Sequence, residues 1–444
     1  MKRRGFLTGA TAALAASTVM PAAATAAYDK NLRGLPPLKI TDAKVITTSG
    51  GRRSRWVILK VMTSEPGLYG IGSANNQYQW EATVAALEKH LIPWLIGKDA
   101  DRIEDLWATT HYRTYWRNGP INNNVVAALD EALWDIKGKR ANMPVYQLLG
   151  GKARDGVACY DHVGGRTKEE AAENVQKSME TGYRHIRVQV SGQGGYGGGG
   201  FIPSNEGSRV EGGYMGNAFD EEKYLETVPP FFDYIRTKIG FDPKLTHDVH
   251  SHLSGVNALQ FARLMEPYRL FFIEDLLAPE QIDWYRHMRK ISTAPQAVGE
   301  VFSHTYEYLP LVTERLIDFV RMRVTAIGGI TQAKKIANLC EFFGVKTAWQ
   351  EGGENDPINQ LSSYHVDISS QAFGIQEENG FPAVTHEMMP GIGEIRGGYL
   401  YGNDLPGLGI DIDEKLAAKY PIGKARNGAA YGTDRGMDGG VVRP

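Results

Sequence analysis

Cysteine is nearly absent from this chain: there are two, Cys159 and Cys340, in 444 residues. At most one disulfide can form, which excludes a disulfide-stapled scaffold. Neither sign of charge is in excess. Lys and Arg number 49 against 51 Asp and Glu, a formal net charge of -2, so nothing electrostatic points to nucleic acid or to an anionic membrane as partner. No membrane-spanning run exists either. The main apolar stretch, Phe6 to Met20, falls short of the roughly 20 residues a transmembrane helix needs. There is no internal repeat, and no Gly-rich loop is followed by Lys-Ser/Thr, which argues against a phosphate loop. What remains is ordinary globular composition, 42% hydrophobic and 23% charged. That is enough chain for two or three domains, or for one large barrel with additions.

The N-terminus reads as an address. Arg3 and Arg4 precede Phe6-Leu7, an Ala-rich apolar stretch follows, and Ala24-Thr25-Ala26 offers a cleavage site. These are the charged, apolar and small-residue regions of a secretory signal. The paired arginines resemble a twin-arginine signal, the alternative being an ordinary signal with two chance arginines. Residues 1–27 are therefore expected to direct export to the periplasm and to lie outside the fold.

Residues 38–150 open with β-branched, partly alternating segments, Lys39–Ile46 and Arg55–Val61, with Gly67 and Gly70 marking turns. Helical periods follow. Val125, Ala128, Leu129, Ala132, Leu133 and Ile136 fall at i, i+3, i+4 spacing. This predicts three strands and then helices, an N-terminal α+β capping domain.

From 151 to 390 short apolar runs alternate with amphipathic segments. The runs are Val157–Tyr160, His185–Val190, Lys244–Asp248, Leu270–Glu274, Gln296–Glu300, Ile317–Arg321, Val345–Trp349 and, less clearly, His365–Ile368. About eight β-then-α units in about 230 residues predict an α/β fold, a modified (β/α)8 TIM barrel. Between Gly192 and Gly200 seven of nine residues are Gly, around Tyr196. This segment follows the second barrel strand, on the face where such barrels carry their chemistry, and is expected to form a long active-site loop or lid reaching to about Phe219. Residues 391–444, rich in Gly, Pro and Asp, read as an irregular extension packing on the barrel mouth or on the capping domain.

Three acids end three consecutive barrel strands: Asp248, Glu274 and Glu300, spaced 26 and 26 residues apart, one βα unit each. In a parallel barrel these ends converge on one face. Three carboxylates there repel one another unless a hard cation sits among them, and an all-oxygen site suits Mg²⁺. His250, two residues beyond Asp248, is a candidate general acid beside such a site. No His-x-His occurs on the first barrel strand, which argues against a zinc hydrolase.

The chain resembles the enolase superfamily, specifically its mandelate racemase/muconate lactonising group, and within it the mannonate dehydratase or starvation-sensing family. Several motifs carry the resemblance: Ala127–Lys139, Tyr115-Trp116-Arg117 with Gly119-Pro120, Pro144–Gly151, His247-Asp248-Val249-His250, Glu274-Asp275, Gly299-Glu300, Gly328–Thr331 and Pro406–Asp413. The resemblance implies a Mg²⁺-dependent acid-sugar dehydratase giving a 2-keto-3-deoxy acid, assembled as a homo-oligomer. It implies Asp248, Glu274 and Glu300 as metal ligands. It implies Arg187 paired with Tyr196 (Tyr214 as the alternative) as base, and His250 as the acid that helps hydroxide leave. His162, Glu377, Trp116 and Gln77, the last within Asn75-Asn76-Gln77, match substrate-contacting positions. Two departures stand out. Gln350 occupies the place where the family carries His at the end of the seventh strand. The sixth strand runs into Arg321-Met322-Arg323 rather than into an Asp that would orient such a His. Gln cannot transfer protons, so a two-base racemase is not expected. A degenerate member that binds sugar acids without turning them over is the competing expectation.

Overall fold

The computed structural model describes residues 36–51, 54–190, 201–202, 210–211, 218–423 and 435–441. The expected signal segment lies outside them, as do Tyr196 and Tyr214.

The capping domain begins with an antiparallel sheet, β1 (Ile40–Thr48), β2 (Trp56–Thr63) and β3 (Tyr69–Ser73), in that order. Across it lies α1 (Pro120–Ala141). Pro120 at the first turn and left-handed Asn142 at the last bound this helix. Val57, Leu59 and Val61 of the sheet meet Leu129, Ala132, Leu133 and Ile136 of α1 in one buried core. The contact is backbone-close. A Cβ on Gly70 would stand 2.1 Å from the Ala132 carbonyl oxygen, and one on Gly72 2.0 Å from that of Ala128. Gly70 therefore serves close packing inside β3, whereas Gly67, at φ +79°, makes the turn.

The second unit is the expected barrel. Its strands are β4 (Val157–Gly165), β5 (His185–Val190), β6 (Lys244–Asp248), β7 (Phe272–Glu274), β8 (Gln296–Val298), β9 (Phe319–Val320), β10 (Lys346–Thr347) and β11 (Gln376–Glu377). Neighbours pair in parallel from β4 to β10. β11 returns to pair with β4, and Thr347 bridges Phe373, which closes the ring. Tyr160, Phe272, Ala297, Phe319, Ala348 and Ile375 fill its interior as one packed layer.

The eighth strand is not where the sequence pattern put it. His365–Ile368 belongs to a helix, α3 (Pro357–Ile368), begun by Asp356, whose side chain accepts from the Ile358 and Asn359 N–H groups, with Pro357 in the first turn. Every residue of α3 is buried, so the one-sided apolar stripe that marks a surface helix is missing. Residues Lys168–Glu180 and α2 (Ile330–Phe343) form helices between strands.

The C-terminal extension packs on both units. Tyr399–Tyr401 adds antiparallel to the start of β4, and Glu414 pairs with Lys44 and Lys60 of the cap. The segment 435–441 returns to the other side, where Phe219 N–H bonds the Arg435 carbonyl at 2.7 Å. The ends of the Gly-rich loop pair there, Phe201–Ile202 with Ala218–Phe219.

Cap and barrel are tied by specific bonds. Asp130 accepts from the N–H and hydroxyl of Thr331 at the start of α2, Trp107 donates to the Gly328 carbonyl, and Asn123 donates to the Ser303 and Ala326 carbonyls. These contacts set the cap over the C-terminal ends of the barrel strands.

Candidate active site

Parallel pairing places Asp248 level with Glu274 at the ends of β6 and β7, and Glu300 just past β8. The backbone turns sharply there. His250, Ser251 and Asp275 all have positive φ, 57°, 60° and 42°, an uncommon conformation for residues other than glycine and one that collects at functional sites. The turn after β7 swings Asp275 into the cluster beside Glu274. Oxygens of Asp248, Glu274 and Asp275 lie within 4.8 Å of one another. Glu300, expected as the third member, faces the same cavity, but its Oε1 is 3.0 Å from His250 Nε2 and its Oε2 2.7 Å from Arg321 Nη1. The reason is Arg321. It bridges Asp275 (2.9 Å) and Glu300 through Nη1, and Glu274 and Glu377 (both 2.6 Å) through Nη2. Asp275 in turn accepts the Gly299 N–H at 2.8 Å and so fixes the turn that carries Glu300.

Arg187 enters from β5. Its Nη1 is 2.8 Å from Glu274, 3.2 Å from Asp248 and 3.2 Å from Glu377. Its buried Nε has no hydrogen-bond partner among the described residues. His162 bonds Glu377 through Nε2 at 2.8 Å. Burial and the nearby Arg187 lower its basicity, so it is neutral at pH 7. His250 behaves oppositely. Burial works to lower its pKa, yet Glu300 and Asp248 together raise it to about 9, which makes it a proton donor at neutrality.

Five carboxylates, Asp248, Glu274, Asp275, Glu300 and Glu377, thus face two guanidiniums and one imidazolium. Burial pushes the Glu274 and Asp275 carboxyls up, with Arg321 opposing it at both and Arg187 at Glu274, so five acids outnumber three cationic groups at the cluster. Hard oxygen donors, full burial and surplus negative charge are what a divalent cation such as Mg²⁺ requires.

The cluster opens into a cavity of about 490 Å³ roofed by the cap. Asn75, Asn76 and Gln77 all line it, as do Arg187, Asp248, His250, Glu300, Gln350 and Glu377. His162 stands behind Glu377 and does not line it. Trp116 is not brought in. It is 78% exposed and borders a separate shallow pocket with Tyr112, Tyr115, Arg117, Asn118 and His304. Sequence reasoning missed Asp275, Arg321, Arg323 and Glu354. The first follows Glu274 directly, and the two arginines stood in plain view as Arg321-Met322-Arg323.

Fold and site together define a barrel enzyme of the enolase type, with acids at the ends of consecutive strands beneath an α+β cap. Comparison with known proteins agrees. Residues 35–150 match the mandelate racemase/muconate lactonizing enzyme N-terminal domain, and residues 170–416 the enolase C-terminal domain-like family. A D-galactonate dehydratase family member from Paenibacillus sp. (strain JDR-2) is 49% identical over 411 residues, 91% of this chain and all of that protein. The family member RspA from Pantoea ananatis is 43% identical over 422 residues, 92% of this chain and 99% of the relative. A crystal structure of an enolase from Pantoea ananatis with bound D-gluconate and Mg superposes with a TM-score of 0.85 at 43% identity, covering 92% of this chain and 100% of the other. The chain belongs to the enolase superfamily, in its mandelate racemase/muconate lactonizing group, and there to the D-galactonate dehydratase family, a family of hydro-lyases. The relatives are named for galactonate and not for mannonate.

Proposed function

We propose that this chain is a Mg²⁺-dependent dehydratase of an aldonate of the D-gluconate or D-mannonate type, releasing a 2-keto-3-deoxy acid. The observation that carries the reading is His250, protonated and held against Glu300 at the edge of a carboxylate cluster with surplus negative charge. Asp248, Glu274 and Glu300 would hold the cation, with Asp275 and Arg321 fixing them. When bound, Mg²⁺ supplies positive charge that stabilises the enediolate charge developing on the substrate's carboxylate, an effect worth several kcal/mol.

The protein's own groups do the proton work. Tyr196, which follows β5 in the sequence, takes the α-proton, with Tyr214 as the alternative. Arg187 Nε, which has no partner among the described residues, leaves a guanidinium N–H available to such a phenol, and a nearby cation favours the phenolate. His250 gives its proton to the leaving β-hydroxyl, which departs as water. The resulting enol then tautomerises to the 2-keto acid. Gln77, Gln350 and Glu377 contact the substrate from the cavity wall, and His162 orients Glu377.

The test is a turnover screen of the purified mature protein with Mg²⁺ against a panel of acid sugars, with His250→Ala in parallel. The expected result is a 2-keto-3-deoxy product from a member of the panel, lost in the variant. Silence across the panel overturns the reading. It would leave a second one, a binding or regulatory protein for sugar acids, which the bond from Arg323 to Gln350 favours by placing non-transferring groups where a proton-transfer pair would stand.

We further propose that the mature chain is exported to the periplasm, on the strength of Arg3-Arg4 and the apolar stretch behind them. A homo-oligomer is proposed on the exposed aromatics Tyr112, Tyr115, Trp116 and Tyr306. A wholly cytoplasmic cell fraction would refute the first, and a monomeric mass by light scattering the second.

A further inference from the structure

One wall of the cavity takes no part in the proton transfers above. Arg323, beyond the end of β9, and Gln350 and Glu354, beyond β10, form it. Arg323 Nε donates to Gln350 Oε1 at 2.8 Å, and Arg323 Nη2 pairs with Glu354 Oε1. One polar atom of each residue remains over. Gln350 Nε2, Glu354 Oε2 and Arg323 Nη1 make no hydrogen bond among the described residues. A Cβ on Gly352 would stand 2.6 Å from Gln350 Nε2 and 2.8 Å from Glu354 Oε2, so the two atoms border the same point of the wall.

The wall is held from both domains. The Glu354 carbonyl accepts from Trp56 Nε1 at 3.0 Å and from Asn75 Nδ2 at 2.8 Å, both in the cap. Asn355 N–H bonds the Gly352 carbonyl at 2.9 Å, and Asn355 Nδ2 reaches the Gln350 carbonyl at 3.3 Å. A free carboxamide can present either end to a ligand. Here the guanidinium engages the oxygen, so the NH₂ group faces the cavity as a donor, with a carboxylate oxygen beside it as acceptor. A hydroxyl, both donor and acceptor, matches that pair. A second carboxylate does not, because it would meet the Glu354 oxygen as well as the arginine.

We propose that Gln350, Arg323 and Glu354 form an electroneutral hydroxyl clamp that selects acid sugars carrying a single carboxylate over dicarboxylic ones. The inference rests on the acid-sugar reading above and adds the residues that enforce a single carboxylate. Gln350 is then a specificity residue, its amide serving recognition in place of proton transfer.

Glu354→Gln tests this, since it leaves Arg323 charged and unneutralised at nearly constant shape. Calorimetric titration of the Mg²⁺-loaded protein with D-gluconate and with D-glucarate, its dicarboxylic counterpart, gives a ratio of affinities. Wild-type protein binds gluconate more tightly. In Glu354→Gln the ratio moves toward glucarate by about tenfold, the effect of one bare charge a few ångströms from a carboxylate in a partly wet cavity. Gln350→Glu adds a carboxylate to the same wall and moves the ratio the other way, which keeps the test open should the first variant fail to fold. A ratio unmoved in the folded variants overturns the clamp, as does wild-type protein that binds glucarate as well as gluconate. Wild-type protein that binds neither acid nor any other member of the acid-sugar panel removes the acid-sugar reading, and the clamp with it. Wild-type binding of gluconate with an unmoved ratio removes the clamp alone.

Discussion

Arg321→Met removes the centre of the charge cluster while keeping most of the side chain's apolar stem. Arg321 is fully buried and touches four carboxylates, Glu274, Asp275, Glu300 and Glu377, at 2.6–2.9 Å. A buried charge that loses its partner typically costs about 3–5 kcal/mol, and here four acids lose theirs at once. Taken as about 4 kcal/mol, that is close to a thousandfold in the folding equilibrium. Urea unfolding followed by tryptophan fluorescence, in EDTA and again with excess Mg²⁺, reads it. In EDTA the variant should be less stable by the stated amount. With Mg²⁺ it should recover more stability than wild type does, because the cation meets carboxylates stripped of their arginine. A variant within about 1 kcal/mol of wild type in EDTA would show that Arg321 does not hold the cluster together. Equal stabilisation of both proteins by Mg²⁺ would place the cation elsewhere.

Glu300→Gln should abolish Mg²⁺-dependent turnover and weaken Mg²⁺ binding by at least tenfold in calorimetry; retained Mg²⁺-dependent turnover would sink the ligand assignment. Glu378, buried beside Glu377, is pushed up to about 8 by burial. Its folded pKa exceeds its unfolded value, so its stabilising contribution is complete below about pH 4 and is lost as pH rises through about 8. Glu378→Gln should remove that decline, gaining on wild type by about 1 kcal/mol per pH unit between pH 5 and 8 in urea unfolding. Parallel pH profiles for the two proteins would contradict it.

Much of this architecture was legible because parallel strands buried on both faces read as apolar runs, and because two equal spacings of 26 residues mark a repeating unit. The three strand-end acids Asp248, Glu274 and Glu300 were marked out by that periodicity. Asp275 was not, since its neighbour Glu274 already filled the strand-end position and only a backbone φ of 42° turns its carboxylate inward. In the sequence Arg321 shows only as a departure from the family's orienting Asp. Its role depends on partners spread from Glu274 to Glu377, which no local pattern displays. Trp116 was assigned by resemblance, and its motif turns out to sit at an exposed edge of the cap.

The misplaced eighth strand has a cause that links α3 to the active site. At the ends of β10 and β11 two pairs of consecutive residues point to opposite sides, Gln350 with Glu351 and Glu377 with Glu378. The first of each pair lines the cavity. The second is buried behind the barrel wall against α3 or its own strand. Glu351 Oε1 accepts from Asn359 and Ser363, both at 2.5 Å, and Glu378 from Gln360 at 2.7 Å and Gln376 at 2.9 Å. A helix that must supply donors to buried acids cannot be apolar on that face. Its sequence, Asn359-Gln360-Leu361-Ser362-Ser363, therefore carries polar groups where a core helix would carry leucines. The absent amphipathic signal in α3 and the acid-rich ends of β10 and β11 are thus one feature seen from two sides. The same logic makes Glu378→Gln tolerable: turning the Gln376 amide would present its Oε1, which has no partner among the described residues, to the new NH₂ group.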